Sequence, residues 1–357
     1  LKLLEAGIDA VERGLISDLI VRIAIRRLCG NRARAFEKQT VADTEAQLAG
    51  FTKLMCDGPI APLAEKANQQ HYEIPAEFFA TVLGPHRKYS CCLWPHANTT
   101  LAEAEEAALA MTCERAQLTD GQKILELGCG WGSLSLWMAM HYPHSQITAV
   151  SNSVSQRLFI ETEAATRGLT NLRVITADMN DFVPPAEELA DSGLDGKFDR
   201  VVSVEMFEHM RNYALLFERI ASWLRPDGKC FIHIFCHRRM AYAFETDGAV
   251  NWMGRYFFSG GLMPSRDLPD RFQRHLKVVG QWDWNGQHYF RTSEAWLENF
   301  DKQRSKILPI LESTYGTVAA SRWLNRWRVF FLAVSELFAC RGGEEWFVTH
   351  CLLERNQ

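Results

Sequence analysis

Two carboxylates and an imidazole fall within five consecutive residues, Glu205-Met206-Phe207-Glu208-His209. Such a group can take up, hold and pass on a proton. His209 has the only side chain there whose ordinary pKa lies near neutrality. The cluster directly follows Val201-Val202-Ser203-Val204, an apolar run that reads as a buried parallel strand. In open α/β sheets, ligands bind beyond the carboxyl ends of the strands, which is where the cluster would stand. The competing reading is a charged first turn on a helix over 211–224, because acidic residues favour helix N-termini. On these residues alone the two readings are level. Glu205-x-x-Glu208-His209 also echoes the zinc motif H-x-x-E-H, but with Glu in a position that needs His, so no metal is expected.

The elements that must position this cluster follow from periodicity. Strands are predicted at 123–127, 146–151, 172–178, 198–205 and 228–236, with helices at 132–141, 153–167 and 210–224 between them. That alternation implies a parallel, doubly wound α/β sheet. Residues 1–56 read as helical, and Asp57-Gly58-Pro59 and Pro62 open a linker over about 57–70. Thr100-x-x-Glu103 is a capping box that starts a helix running to Ala116. The alternation stops after His237. An aromatic, Gly- and Pro-containing stretch over 238–300 follows, then helices over 293–313 and 317–339 and a final strand over 346–353. The expected organisation is an N-terminal helical segment and cap (1–120), a sheet core (121–237), a cap insertion with helices (238–340) and a closing strand (341–357).

The chain has 357 residues, 47% of them hydrophobic, enough for one large domain with an appendage. A net charge of −4 gives no reason to expect nucleic acid as a partner. No apolar run reaches the length of a membrane span, and the best candidate, Val329–Cys340, carries Glu336. The ten cysteines, with the adjacent pair Cys91-Cys92 but no CxxC spacing, read as free thiols, which points to a cytoplasmic location. The sequence opens on Leu1, which leaves the true N-terminus and any targeting segment undetermined. A homodimer is compatible with all of this.

The first strand ends in Glu126-Leu127-Gly128-Cys129-Gly130-Trp131-Gly132, where glycine permits positive φ and close approach of a ligand to the backbone. The third glycine comes one residue too early for the dinucleotide fingerprint G-x-G-x-x-G. With Glu126 before the loop and Ala177-Asp178 ending the third strand, the pattern resembles the S-adenosylmethionine loop of class I methyltransferases. The resemblance implies a Rossmann-like methyltransferase fold with an added helical substrate cap. It also implies backbone contact with the cofactor at Gly128 and Gly130, and an adenine site at Asp178 and Met179. The second strand ends Ser151-Asn152-Ser153 without the usual ribose-binding acid. Asn152 and Gln156 would have to serve there.

From about residue 71 the chain resembles the coclaurine N-methyltransferase family of plant alkaloid enzymes, itself related to cyclopropane fatty acid synthases. The residues that carry the likeness include Tyr72-Glu73-Ile74-Pro75, Ser90-Cys91-Cys92, Asn152-Ser153-Val154-Ser155-Gln156, Phe207-Glu208-His209-Met210 and Gly342-Gly343-Glu344-Glu345-Trp346. The resemblance implies methylation of an aromatic alkylamine such as a phenylalkylamine or a tetrahydroisoquinoline. His209 would be the base, Glu208 its partner or alternate, and Glu205 the anchor for the amine. Ser90 and Glu126 join the cofactor set, and Tyr72, Glu73, Trp327 and Phe330 the acceptor pocket. For Trp327 and Phe330, core packing of a helical stripe is the standing alternative. The synthases typically carry Gly where this chain has Glu205, and bind bicarbonate through a His-x-Ile that His233-Ile234 only partly matches. A lipid-alkene methyltransferase is therefore the rival reading. Glu205 speaks against it, because a carboxylate buried beside a lipid tail is costly.

Overall fold

The structure, a computed structural model, describes residues 2–63, 74–185, 197–248 and 251–356. Its centre is a seven-stranded sheet of β1 (Lys123–Leu127), β2 (Gln146–Ser151), β3 (Leu172–Thr176), β4 (Phe198–Val204), β5 (Leu224–His237), β8 (Leu276–Trp284) and β9 (Trp346–Arg355). The strand order is β3-β2-β1-β4-β5-β9-β8. β1 to β5 run parallel, and β9 is antiparallel to both of its neighbours. Order reverses between β1 and β4, a topological switch point of the kind at which α/β sheets hold ligands. The expected α/β class is therefore observed. β6 (Tyr242–Ala243) and β7 (Leu262–Met263) form a separate antiparallel pair.

The buried strands read as continuous apolar runs because helices cover both faces. Helices α6 (Ser133–His141), α7 (Val154–Thr166) and α8 (Tyr213–Trp223) alternate with the parallel strands, within a residue or three of the predicted spans. α8 begins later than its pattern suggests. Asn212 caps it by accepting from the Leu215 amide at 3.0 Å. Glu208 and His209 lie before that cap, in a separate 3-10 turn over Phe207–His209. The cluster is thus not the charged first turn of a helix.

Residues 2–54 form α1 (Lys2–Glu12), α2 (Asp18–Glu37) and α3 (Val41–Leu54), and α4 (Ala76–Val82) and α5 (Leu101–Arg115) precede the sheet. The capping box at Thr100 is present as read, with Thr100 and Glu103 bonded reciprocally. After the short α9 (Trp252–Tyr256), helices α10 (Gln287–Lys302), α11 (Arg304–Tyr315) and α12 (Thr317–Phe338) complete the cap. Arg22 of α2 joins them by bonding Glu294 and Glu336, each at 2.8 Å. The cap has its own apolar core, in which Trp296, Trp327 and Phe331 are wholly buried.

Two boundaries differ from expectation. The helix predicted over 293–313 is two helices, broken at Gln303. β8 lies inside the stretch 238–340 read as cap, yet it is the edge strand of the main sheet, paired to β9. Its mixture of polar and apolar residues, with a register shift between Val278 and Gly280, suits an edge and hid it from a search for buried runs.

Candidate active site

An open cleft of about 740 Å³ lies over the carboxyl ends of the parallel strands. The loops after four of those strands line it: Gly128 and Gly130 after β1, Asn152 after β2, Ala177 and Met179 after β3, and Glu205, Met206 and His209 after β4. Ala61 and Leu63 approach from the N-terminal segment, and Ser259 and Gly260 from the loop before β7.

The three glycines of the first loop all have positive φ, but they answer to different neighbours. A Cβ on Gly128 would stand 2.8 Å from Met206, and one on Gly132 would stand 2.6 Å from Ile160 of α7. Those two glycines let the loop pack against protein. A Cβ on Gly130 would meet no atom of the described residues within 4 Å. Gly130 is therefore the bare backbone against which a ligand can lie. Gln156 lines the same cleft, and its buried Nε2 has no partner among the described residues, while its Oε1 accepts from the Ser151 hydroxyl at 2.6 Å. A glycine cradle, a waiting amide donor and the apolar Met179 and Val150 form a set that fits a nucleoside-bearing cofactor.

Asp178 stands between the lining residues Ala177 and Met179, and one of its oxygens accepts from the Asn180 amide at 2.8 Å. Asn180 in turn holds the backbone of Ala61 at both ends, accepting from its N–H at 2.9 Å and donating to its carbonyl at 2.8 Å. One side chain thus ties the cofactor end of β3 to the segment that closes the other wall.

Glu205, the residue directly after β4, has φ +46°, a left-handed conformation that costs a residue with a Cβ about 1–2 kcal/mol. Its amide donates to the His233 carbonyl at 2.8 Å, so the backbone stays anchored to β5 while it turns. Three donors converge on the carboxyl group. The Cys91 amide at 3.0 Å and His233 Nε2 at 3.2 Å reach Oε1, and the Tyr289 hydroxyl reaches Oε2 at 2.6 Å. Lys88, buried and bonded to Ser90 Oγ at 2.6 Å and the Cys91 carbonyl at 2.7 Å, adds a positive charge nearby. Burial raises the Glu205 carboxyl above its ordinary range, and Lys88, the Cys91 amide and the Tyr289 hydroxyl offset only part of that rise.

Glu208 is its opposite. It is buried, its Oε2 has no partner among the described residues, and burial together with the charge of Glu205 pushes its carboxyl well above the ordinary range. Of the two buried carboxyls, Glu205, with three donors, is the better placed to carry a negative charge, and Glu208 the better placed to stay protonated. His209 lines the cleft beside Glu205, its ring parallel to that of Phe258 with centroids 6.0 Å apart. Glu208 does not line the cleft.

Of the other residues singled out from sequence, Gly128, Gly130, Asn152, Gln156 and Met179 line the cleft with Glu205 and His209. Ser90 does not, and its hydroxyl is taken by Lys88. Glu126 does not either; it is buried and accepts from the Ser135 hydroxyl of α6. Trp327 and Phe330 are packed in the cap core, Trp327 against Phe78 at 4.8 Å and Phe330 stacked on Phe257 at 4.4 Å. For these two, the helical stripe was core. Tyr72 and Glu73 lie outside the described residues. Among the described residues no group of three or more His, Cys, Asp and Glu side chains could hold a metal ion. Sequence reasoning missed Lys88 and Tyr289, and neither stands in a local pattern that would have betrayed it.

Residues 62–341 match the family described as Mycolic acid cyclopropane synthetase. The (S)-coclaurine N-methyltransferase of Thalictrum flavum subsp. glaucum is 38% identical over 97% of this chain and 94% of its own length. A crystal structure of coclaurine N-methyltransferase bound to N-methylheliamine and SAH superposes with a TM-score of 0.91 at 36% identity, covering 99% of each chain. The cyclopropane synthase MmaA2 of Mycobacterium tuberculosis matches with a TM-score of 0.67 at 21% identity, over 82% of this chain and 99% of that one, a likeness of fold.

Proposed function

Because the chain belongs to the mycolic acid cyclopropane synthetase family, and within it to the coclaurine N-methyltransferase-like branch, we propose that it is an S-adenosylmethionine-dependent N-methyltransferase of aromatic alkylamines. The acceptor class is a phenylalkylamine or a tetrahydroisoquinoline of the benzylisoquinoline kind. The observation that carries the reading is the Glu205 carboxylate, held by three donors and facing a cleft it shares with His209.

S-adenosylmethionine, when bound, supplies a sulfonium methyl group open to displacement by a lone pair. Gly130 offers it bare backbone, Gln156 an amide N–H unengaged among the described residues, and Met179 an apolar contact. An alkylamine has a pKa of about 10 and arrives protonated, without the lone pair the displacement needs. Glu205 receives that ammonium as a fixed negative charge. His209 takes the proton from the substrate nitrogen. Glu208, neutral and buried behind the same turn, keeps a second negative charge from competing for the cation. Positioning of the freed amine then accounts for much of the rate.

The lipid-alkene alternative draws on the same fold, but a fixed carboxylate at Glu205 has no counterpart in an apolar acyl substrate. The ten cysteines, all free, suit a cytoplasmic enzyme. No helix among the described residues is long and apolar enough to cross a membrane.

Incubating the protein with methyl-labelled S-adenosylmethionine and a panel of aromatic alkylamines should place label on nitrogen. Label in phospholipid acyl chains, with dependence on bicarbonate and tolerance of Glu205→Gly, would establish the lipid reading instead. No label on any nitrogen sinks the amine proposal.

A further inference from the structure

His233 and His350 are register partners on β5 and β9, two histidines buried in the middle of apolar strands. His350 Nε2 lies 2.8 Å from His233 Nδ1, and the rings are 4.7 Å apart between centroids. Beyond them, Arg115 at the end of α5 places Nη1 2.8 Å from His350 Nδ1. Trp284 packs against both imidazoles, at 5.4 Å from His233 and 4.4 Å from His350, and the Arg115 guanidinium lies over Trp282 and Trp284. The line from Arg115 to Glu205 therefore runs through an aromatic-walled interior.

The chemistry of its outer end fixes the direction of the line. A guanidinium only donates. His350 Nδ1 must therefore accept, so its proton is on Nε2. That proton points to His233 Nδ1, which must accept in turn and leaves its own proton on Nε2. His233 Nε2–H then donates to Glu205 Oε1 at 3.2 Å. No other arrangement of protons satisfies all three contacts with neutral rings. Burial, with the nearby charges of Lys88 and Arg115, holds both imidazoles well below their ordinary pKa, which keeps them neutral.

We infer that Arg115 and His350 are positioning residues of the methyl-transfer site. Through the one-way chain Arg115 to His350 to His233, they deliver an N–H to Glu205 and hold it as the acceptor-only carboxylate that receives the substrate ammonium. This rests on the amine reading given above. Without Arg115 the chain can reverse: His233 Nδ1 donates outward, its bare Nε2 faces Glu205, and Glu205 takes up a proton to meet it. The carboxyl is otherwise faced by Lys88, the Cys91 amide, Tyr289 and Glu208, with His209 beside it in the cleft, and none of these changes in the variants below. Arg115 itself is faced by Glu114 and Asp283.

The test compares Arg115→Met with Arg115→Lys, which restores a head that only donates. His350→Phe cuts the chain one step further in and carries the test if Arg115→Met does not fold. Nitrogen-15 spectra of the histidine rings at pH 7 should show both buried imidazoles in the wild type as neutral Nε2–H tautomers. In Arg115→Met the acid limb of kcat/KM for the amine should move to higher pH by about one unit, roughly a tenfold loss at the pH of the limb. That loss should appear mainly in KM, and Arg115→Lys should restore most of it. A buried ring that is cationic or protonated on Nδ1 in the wild type overturns the chain. So does an acid limb that stays in place in both Arg115→Met and His350→Phe. A wild-type protein that methylates no amine would instead bring down the functional reading, and the ring spectra would still decide the chain.

Discussion

The Tyr289 hydroxyl donates to Glu205 Oε2 at 2.6 Å across 84 residues of sequence. Tyr289 belongs to the first turn of α10 in the cap, and Glu205 directly follows the central strand β4. A single bond thus joins the two layers at the carboxylate that faces the cleft. Burial and the neighbouring Glu205 push the phenol well above its ordinary pKa, so Tyr289 remains a donor throughout the working pH range. The other contacts of Glu205 come from the Cys91 amide and from His233, so three separate segments of the chain meet at one carboxylate.

Tyr289→Phe isolates that bond. The ring stacks on Phe338 at 4.4 Å, and Phe keeps this contact, so folding should be preserved. A hydrogen bond to a charged group contributes about 1.5–3 kcal/mol, so kcat/KM for the amine should fall by roughly tenfold to a hundredfold. Its acid limb should move to higher pH, and cofactor affinity should stay as it was. Steady-state kinetics across pH, beside calorimetric titration of the cofactor, measure both. An unchanged kcat/KM would mean that Glu205 does not depend on the cap.

The glycine loop separates a ligand effect from a packing effect. Gly130→Ala places its methyl against no described residue, so its stability cost is that of the positive φ, about 1–2 kcal/mol. Its main effect should be a loss of cofactor affinity of about tenfold or more. Gly132→Ala drives a methyl to 2.6 Å from Ile160 and should lower the melting temperature before any ligand is added. Thermal melts with and without cofactor distinguish them. Equal destabilisation of the two variants would show that Gly130 is no cradle.

The sheet and the glycine loop were legible in the sequence because buried parallel strands are short apolar runs and the loop is a local motif. The Glu205–His209 cluster was legible for the same reason: one stretch of chain carries it. What stayed hidden was non-local. Tyr289 looks like an ordinary helix residue until α10 is placed over β4, and Lys88 looks like a surface lysine until its burial is known. His350 could have been suspected, since Thr349-His350-Cys351 sets an imidazole inside a strand run, but only the β5–β9 register brings it to His233. Trp327 and Phe330 were open to two readings, because an aromatic stripe at helical spacing serves a core as readily as a pocket, and the structure packs both rings into the cap core.

Glu208 and His209 can be told apart by charge. Burial and the charge of Glu205 keep Glu208 protonated at neutral pH, so its neutral isostere should function nearly as well there. Glu208→Gln is expected to keep kcat within about threefold of the wild type at pH 7, whereas Glu208→Ala leaves a gap in the packing and should lose more. His209→Ala removes the base and should cost kcat about a hundredfold or more, with cofactor affinity retained. If Glu208→Gln falls as far as His209→Ala, the carboxylate form of Glu208 is the base and the two roles must be exchanged.

Glu126 yields a prediction about stability. Wholly surrounded by protein, it is pushed up to about 7 by burial, against an ordinary value of 4.5, with only the Ser135 hydroxyl opposing the shift. A carboxyl whose folded-state pKa is raised contributes stability that is fully present below its unfolded value and is lost as pH rises through the folded one. The window is therefore about pH 4.5 to 7, and the stability lost across it is roughly 3 kcal/mol. Glu126→Gln cannot ionise and still accepts from Ser135, so its stability should lack this component. Denaturant unfolding without cofactor at pH 5 and pH 8 should show the variant gaining on the wild type by about that amount at the higher pH. A difference between the two proteins that is the same at both pH values would mean that Glu126 is ionised throughout, and that water or the cleft reaches it from a side the packing does not show.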